Sequence, residues 1–142
     1  RWGEIARAHA QLQVALVQEG IATFVSLISP NFSNDWDLTS NANDLLETAR
    51  ARFANNDVKT ATYTIQSIEF PTNDLAYVQC SAQVRVIDLK TGNDKDTGLL
   101  NAKVEWRRED SGWKIYRNLP YRFSHPKNIV KSLLPKSVQS FF

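Results

Sequence analysis

Apolar and polar residues alternate through the second half of the chain in four runs separated by turn signals. The first run covers residues 58–70 and closes on Pro71-Thr72-Asn73-Asp74. The second covers 75–89 and leads into a hairpin loop over 90–96 that holds Gly92 and Asn93. The third covers 97–109 and the fourth 113–118, with Asp110-Ser111-Gly112 between them. A two-residue period puts alternate side chains on opposite faces of a strand, and short turns make consecutive runs antiparallel neighbours. Centring the second hairpin near Asn93 sets Val86 opposite Leu100, Val84 opposite Ala102 and Cys80 opposite Trp106. The third turn sets Trp106 opposite Ile115 and Val104 opposite Arg117. The first sets Ile65 near Cys80 and Tyr63 near Ala82. Cross-strand partners share a face. One side therefore collects Tyr63, Ile65, Val78, Cys80, Val84, Val104, Trp106 and Ile115. The other collects Thr62, Gln79, Arg85, Lys103, Glu105, Arg107, Lys114 and Tyr116. Ile68 and Phe70 break the alternation, which predicts a bulge late in the first run.

The first half has the helical period. Ile5, Ala8, Leu12, Ala15 and Leu16 form one apolar stripe over residues 2–28, interrupted at Glu19-Gly20, where the segment divides into a longer and a shorter helix. His9 is read as a helix-surface residue. Pro30 ends the helical pattern, and residues 29–43, rich in Asn, Asp and Ser, read as a loop. Its aromatics, Phe32 and Trp36, either pack down or line a mouth. A further helix is capped by Asn41 or Asn43, buries Leu45, Leu46, Ala49 and Phe53, and stops at Asn55-Asn56-Asp57. The fold class is α+β: N-terminal helices covering the apolar face of a strongly curved antiparallel sheet of four strands or more. Residues 1–123 form the domain. Residues 124–142, set apart by Pro126 and Pro135, are read as an amphipathic tail that packs on the domain or meets a partner rather than touching a membrane surface, for which its three lysines are few.

The order of these elements, with the segments VALVQEGIATFVSLISPNFS (Val14 to Ser33), DLAYVQCSAQVRV (Asp74 to Val86) and GWKIYR (Gly112 to Arg117), resembles the nuclear transport factor 2-like superfamily, including its SnoaL-like and ketosteroid isomerase-like members. The resemblance spans roughly residues 5–122. It implies a cone-shaped, cystatin-like roll in which a bent sheet wraps the helices around a cavity. It implies no single activity, because the superfamily holds enzymes, transport adaptors and binding domains.

Composition narrows the chemistry. The net charge of +2 on 142 residues, with bases and acids interleaved, argues against nucleic acid as a partner. No stretch is long and apolar enough to span a membrane. One cysteine, Cys80, excludes an intrachain disulfide and a cysteine zinc site, and on an apolar strand face it reads as inert core. Two histidines, His9 and His125, are too far apart in sequence for a ligand motif, so no metal or cofactor is expected. The chain contains no methionine and begins Arg1-Trp2-Gly3, which reads as a processed product. Export after signal-peptide removal is slightly favoured, and a single cysteine suits the cytoplasm equally.

The isomerase-like enzymes of the superfamily use acids inside the cone, and the inward strand faces here carry no Asp or Glu. Arg117 is the exception to an apolar interior. It either pairs with Asp44 or Glu47, reaches solvent at the strand end, or anchors an anionic ligand. The candidate ligand site is Arg117 with Tyr63, Trp106 and Trp36. The expected function is a non-catalytic domain that binds a small hydrophobic or anionic molecule, or a protein, and forms a homodimer through the outer sheet face. The alternatives are a SnoaL-like or ketosteroid isomerase-like enzyme and an adaptor in a larger assembly.

Overall fold

The apolar stripe of the N-terminal segment forms α1 (Trp2–Val17), which buries Ile5, Leu12 and Leu16, and the break that follows separates it from α2 (Ile21–Leu27). Glu19 makes the turn in the left-handed region, with φ of 55°, and the amide of Gly20 donates to the Ala15 carbonyl at 2.8 Å. The computed structural model describes residues 2–35, 37–110 and 112–119. Trp36 and the tail over 124–142 lie outside the described residues, as does the expected domain boundary.

The segment read as a loop is not one. Ile28–Asn34 forms β1 and Asp37–Asn41 forms β2. The strand signal is weak because short polar side chains dominate, but Ile28 and Phe32 are buried and seat β1 against the core. Asn41 then caps α3 (Ala42–Asn55), its side chain accepting from the Asp44 amide at 3.0 Å. The remaining strands are β3 (Asn56–Thr72), β4 (Leu75–Asp88), β5 (Asp94–Asp96), β6 (Leu100–Glu109) and β7 (Gly112–Arg117). They form a curved sheet of seven strands in the order β2-β1-β7-β6-β4-β3, with β5 on β4. All pairs are antiparallel except β1 with β7, so the sheet is mixed.

The pairings Tyr63–Ala82, Ile65–Cys80 and Trp106–Ile115 are as the turns predict. The β4–β6 register differs. Asp88 starts the hairpin early: its carboxylate accepts from the Lys90 and Thr91 amides at 2.8 and 3.0 Å, and Gly92 takes φ of 73°. With a further one-residue offset between β5 and β6, Leu100 faces Ala82 rather than Val86, Ala102 faces Cys80, and Trp106 faces Ala76. The slip is an even number of residues, so every side chain keeps its face. The expected bulge lies at Gln66, and beyond it Ile68 pairs with Val78 on the apolar side.

α1 lies along β3 and reaches β7, and α2 and α3 close the remaining side. Phe24 and Phe53 meet edge to face with ring centres 6.4 Å apart. No helix among the described residues is long and apolar enough to cross a membrane. Because Phe24 is fully buried while Val25 faces outward, Phe24→Ala should lower unfolding stability by about 3–5 kcal/mol and Val25→Ala by no more than about 0.5 kcal/mol. Urea denaturation measures both. Equal losses would show that the second helix does not dock as described.

Candidate functional site

Among the described residues, His9 and Trp106 form a polar focus in the cone interior. His9, on α1, is only 3% exposed, and Trp106, on β6, is completely buried. Their rings touch, with centres 5.2 Å apart and planes inclined by 38°. Neither nitrogen of the His9 ring has a hydrogen-bond partner, and neither does the Trp106 indole nitrogen. Buried polar atoms in folded proteins are nearly always paired, so three unpaired atoms on two touching rings set this place apart. Burial pushes the His9 pKa down to about 4, and the backbone of Tyr63 pulls the other way. His9 is therefore a neutral imidazole at physiological pH.

His9 was expected on the helix surface. It sits four residues after Ile5 and three before Leu12, squarely within the buried stripe. That spacing was the available signal.

Tyr63 and Trp106, two residues of the expected ligand site, are both in the interior and both buried. The Tyr63 amide donates to the Gln13 side chain at 2.6 Å, which fastens β3 to α1. Arg117 is elsewhere. Its expected partner was Val104, but the β6–β7 register shifts after Trp106–Ile115, leaving Tyr116 as the extra residue and pairing Arg117 with Glu105. One extra residue reverses the face, so Arg117 joins Glu105 on the outer side. Its guanidinium meets Asp35 at 3.5 Å rather than Asp44 or Glu47.

The outer face is ordered by charge and aromatic contacts. Glu105 is only 6% exposed and pairs with Arg107 at 2.7 Å, and the Arg107 guanidinium stacks 3.7 Å from the Tyr116 ring centre. At the rim of the cone the Trp113 indole donates to Glu4 at 2.6 Å, and this bond holds the Glu4 carboxyl below its usual range.

Nothing in the described interior provides an acid–base pair. Cys80 is buried and its thiol is pushed up to about 12 by that burial, so it is no nucleophile. No group of three or more His, Cys, Asp or Glu among the described residues is placed to hold a metal.

No family model and no curated protein matches this chain. Solved structures do. A ketosteroid isomerase-like protein from Erwinia carotovora atroseptica is 15% identical, with a TM-score of 0.65 over 81% of this chain and 90% of its own. A nuclear transport factor 2-like protein of unknown function in nutrient uptake from Rhodospirillum rubrum is 18% identical, with a TM-score of 0.65 over 80% and 93%. A nuclear transport factor 2-like superfamily protein from Salmonella enterica Typhimurium is 13% identical, with a TM-score of 0.64 over 84% and 91%. The chain has the nuclear transport factor 2-like fold, as its element order predicts.

The neutral histidine makes stability depend on pH. Between the unfolded value of 6.5 and the folded value of about 4, the unfolded chain takes up a proton that the folded chain refuses. This contribution is intact above the unfolded value, falls as pH drops, and levels off below the folded one. Its full extent is about 3 kcal/mol. His9→Leu should remove that part of the slope, as read by urea denaturation at intervals from neutral to mildly acidic pH. An unchanged slope in the variant would assign the pH dependence to other groups.

Proposed function

We propose that this chain is a non-catalytic binding domain whose cone takes a small, mainly apolar molecule bearing a carbonyl or hydroxyl oxygen. The observation that supports this most is the set of unpaired polar atoms on His9 and Trp106. The indole can only donate, and a neutral imidazole offers one donor and one acceptor. A carbonyl oxygen satisfies the indole or the imidazole N–H, and a hydroxyl also meets the imidazole acceptor. Leaving such a group unpaired in an apolar site costs about 1–3 kcal/mol, so each bond made there favours the bound state. Tyr63 and the aliphatic residues around it supply the wall. Both rings are closed off from solvent, so binding includes an opening of the helical cover. Arg117, on the outer face and paired with Asp35, has no part in this site.

The rival reading is an enzyme of the SnoaL-like or ketosteroid isomerase-like kind. Such chemistry needs a base poised near the working pH and a group to stabilise the charge that develops. His9, pushed down to about 4, is a weak base, and the strand faces lining the described interior offer no carboxylate beside it.

A specific observation supports a homodimer through the outer sheet face. A carboxylate as buried as Glu105, with Arg107 clamped on Tyr116, gives that face a fixed polar pattern rather than a mobile one. Such preorganised Arg and Tyr groups are common at interface centres. Sedimentation should return twice the chain mass, and Tyr116→Asp should return a monomer. A wild-type monomer at high concentration would overturn the dimer without touching the ligand reading.

The ligand reading is tested with cyclohexanone, 1-indanone and 2-naphthol, followed by the indole N–H resonance of Trp106. At least one probe should shift that resonance saturably, and Trp106→Phe and His9→Leu should weaken its binding about tenfold or more, the loss of one buried hydrogen bond. If none shifts it at its solubility limit, or if both variants bind as well as the wild type, the cone does not bind this class.

A further inference from the structure

A second recess lies outside the cone, where the end of α2, the start of β1, the first turn of α3 and the β6–β7 turn converge. It is an open groove of about 770 Å³, within the size range of small-molecule sites. Val25, Ile28, Pro30 and Leu46 give it an apolar floor, and Glu109 and Lys114 stand on its walls. These two charges form no ion pair with each other or with any described residue.

Each charge is instead held by its own neutral anchor. Ser29, fully buried at the start of β1, donates its hydroxyl to Glu109 Oε2 at 2.7 Å. The same hydroxyl accepts from the Asn31 amide at 3.1 Å, so its direction is set by backbone. The Lys114 ammonium donates to the Ser26 carbonyl in the last turn of α2. A carbonyl occupies one of its three donors, and a hydroxyl occupies part of the capacity of the carboxylate. The groove thus presents a carboxylate and an ammonium, held apart, each with bonding capacity left, and an apolar strip beside them.

That arrangement is complementary to a molecule with the opposite pair of charges on an apolar body. We propose that the groove binds a short zwitterionic peptide with apolar side chains. Its free amino terminus pairs with Glu109, its free carboxylate pairs with Lys114, and its side chains lie on Val25 and Leu46. A single-charge ligand satisfies only one wall, and a neutral apolar ligand leaves both charges with what they already have. A free carboxylate and a free amine on separate molecules lose the advantage of being linked.

The test uses the intact chain and four probes: Leu-Leu, N-acetyl-Leu-Leu, Leu-Leu-amide and Leu-Leu with both ends blocked. Binding is followed by backbone amide shifts of Ser29 and Leu46. Leu-Leu should saturate with a Kd of about 1 mM or tighter. Blocking either end should weaken it about three- to tenfold, as expected for losing a partly exposed ion pair. Glu109→Gln should abolish the preference for a free amino terminus and leave the preference for a free carboxylate. Lys114→Gln should do the reverse. The crossed pattern assigns each terminus to its wall, which a general loss of fold would not produce. Absence of any shift with folded wild-type protein at about 10 mM peptide overturns the proposal. So does equal binding of free and doubly blocked peptide, or insensitivity to both substitutions. Because the cone is read through Trp106, failure in the groove and failure in the cone are separate results.

Discussion

The alternation of side chains along a strand is the constraint on which the rest of this structure depends. A one-residue step turns the chain over, so the count of residues between two paired positions decides which side chains enter the cone. β3 uses this three times. It slips against β4 after Val58, after Ile65 and after Glu69. The second slip returns Ile68 to the apolar side, where it meets Val78, and the slips together let a long strand bend around the helices. β7 uses the same device once, at Tyr116, and there it removes a charge from the interior. With Arg117 paired to Glu105 rather than Val104, the cone is spared an unpaired guanidinium, and Asp35 in the β1–β2 turn receives it instead.

The same constraint explains what could be read from the chain. The faces of β3, β4 and β6 were legible even where the β4–β6 register was not, because an even slip leaves parity intact. The early turn at Asp88 follows from two backbone amides bonding one carboxylate, and no count of apolar residues announces it. The bulge at Tyr116 was illegible for a related reason. Trp113, Ile115 and Arg117 alternate regularly, and only pairing with β6 shows that the last of them has changed sides. β1 was hidden by its composition. Ser29, Pro30, Asn31, Ser33 and Asn34 carry turn propensities, which parallel pairing with β7 and the burial of Ile28 and Phe32 override. The interior positions of Tyr63 and Trp106 follow from strand parity. His9 is hidden by its chemical type, which suits a surface, although its position between Ile5 and Leu12 places it in the buried stripe.

Polar groups are treated in two ways in this protein. Several on the surface are paired: Arg85 with Asp94, Lys95 with Asp88, Lys59 with Asp57. Exposed pairs of this kind add little to stability, and they sit where water would have met the charges in any case. The costly positions are the ones left unmatched. A leucine in place of His9 would fill the same stripe of α1, remove two unpaired nitrogens from the core and remove the part of the acid sensitivity that His9 causes. Stability alone therefore gives no reason for a histidine there. Local rules that fail in an otherwise consistent structure fail most often where a chain binds or reacts. His9 against Trp106 is such a failure inside the cone, and the separately anchored Glu109 and Lys114 are a milder one outside it. The carboxylate and the ammonium on that groove do not meet: Ser29 holds one and Ser26 the other, and that separation is what leaves both able to engage something else.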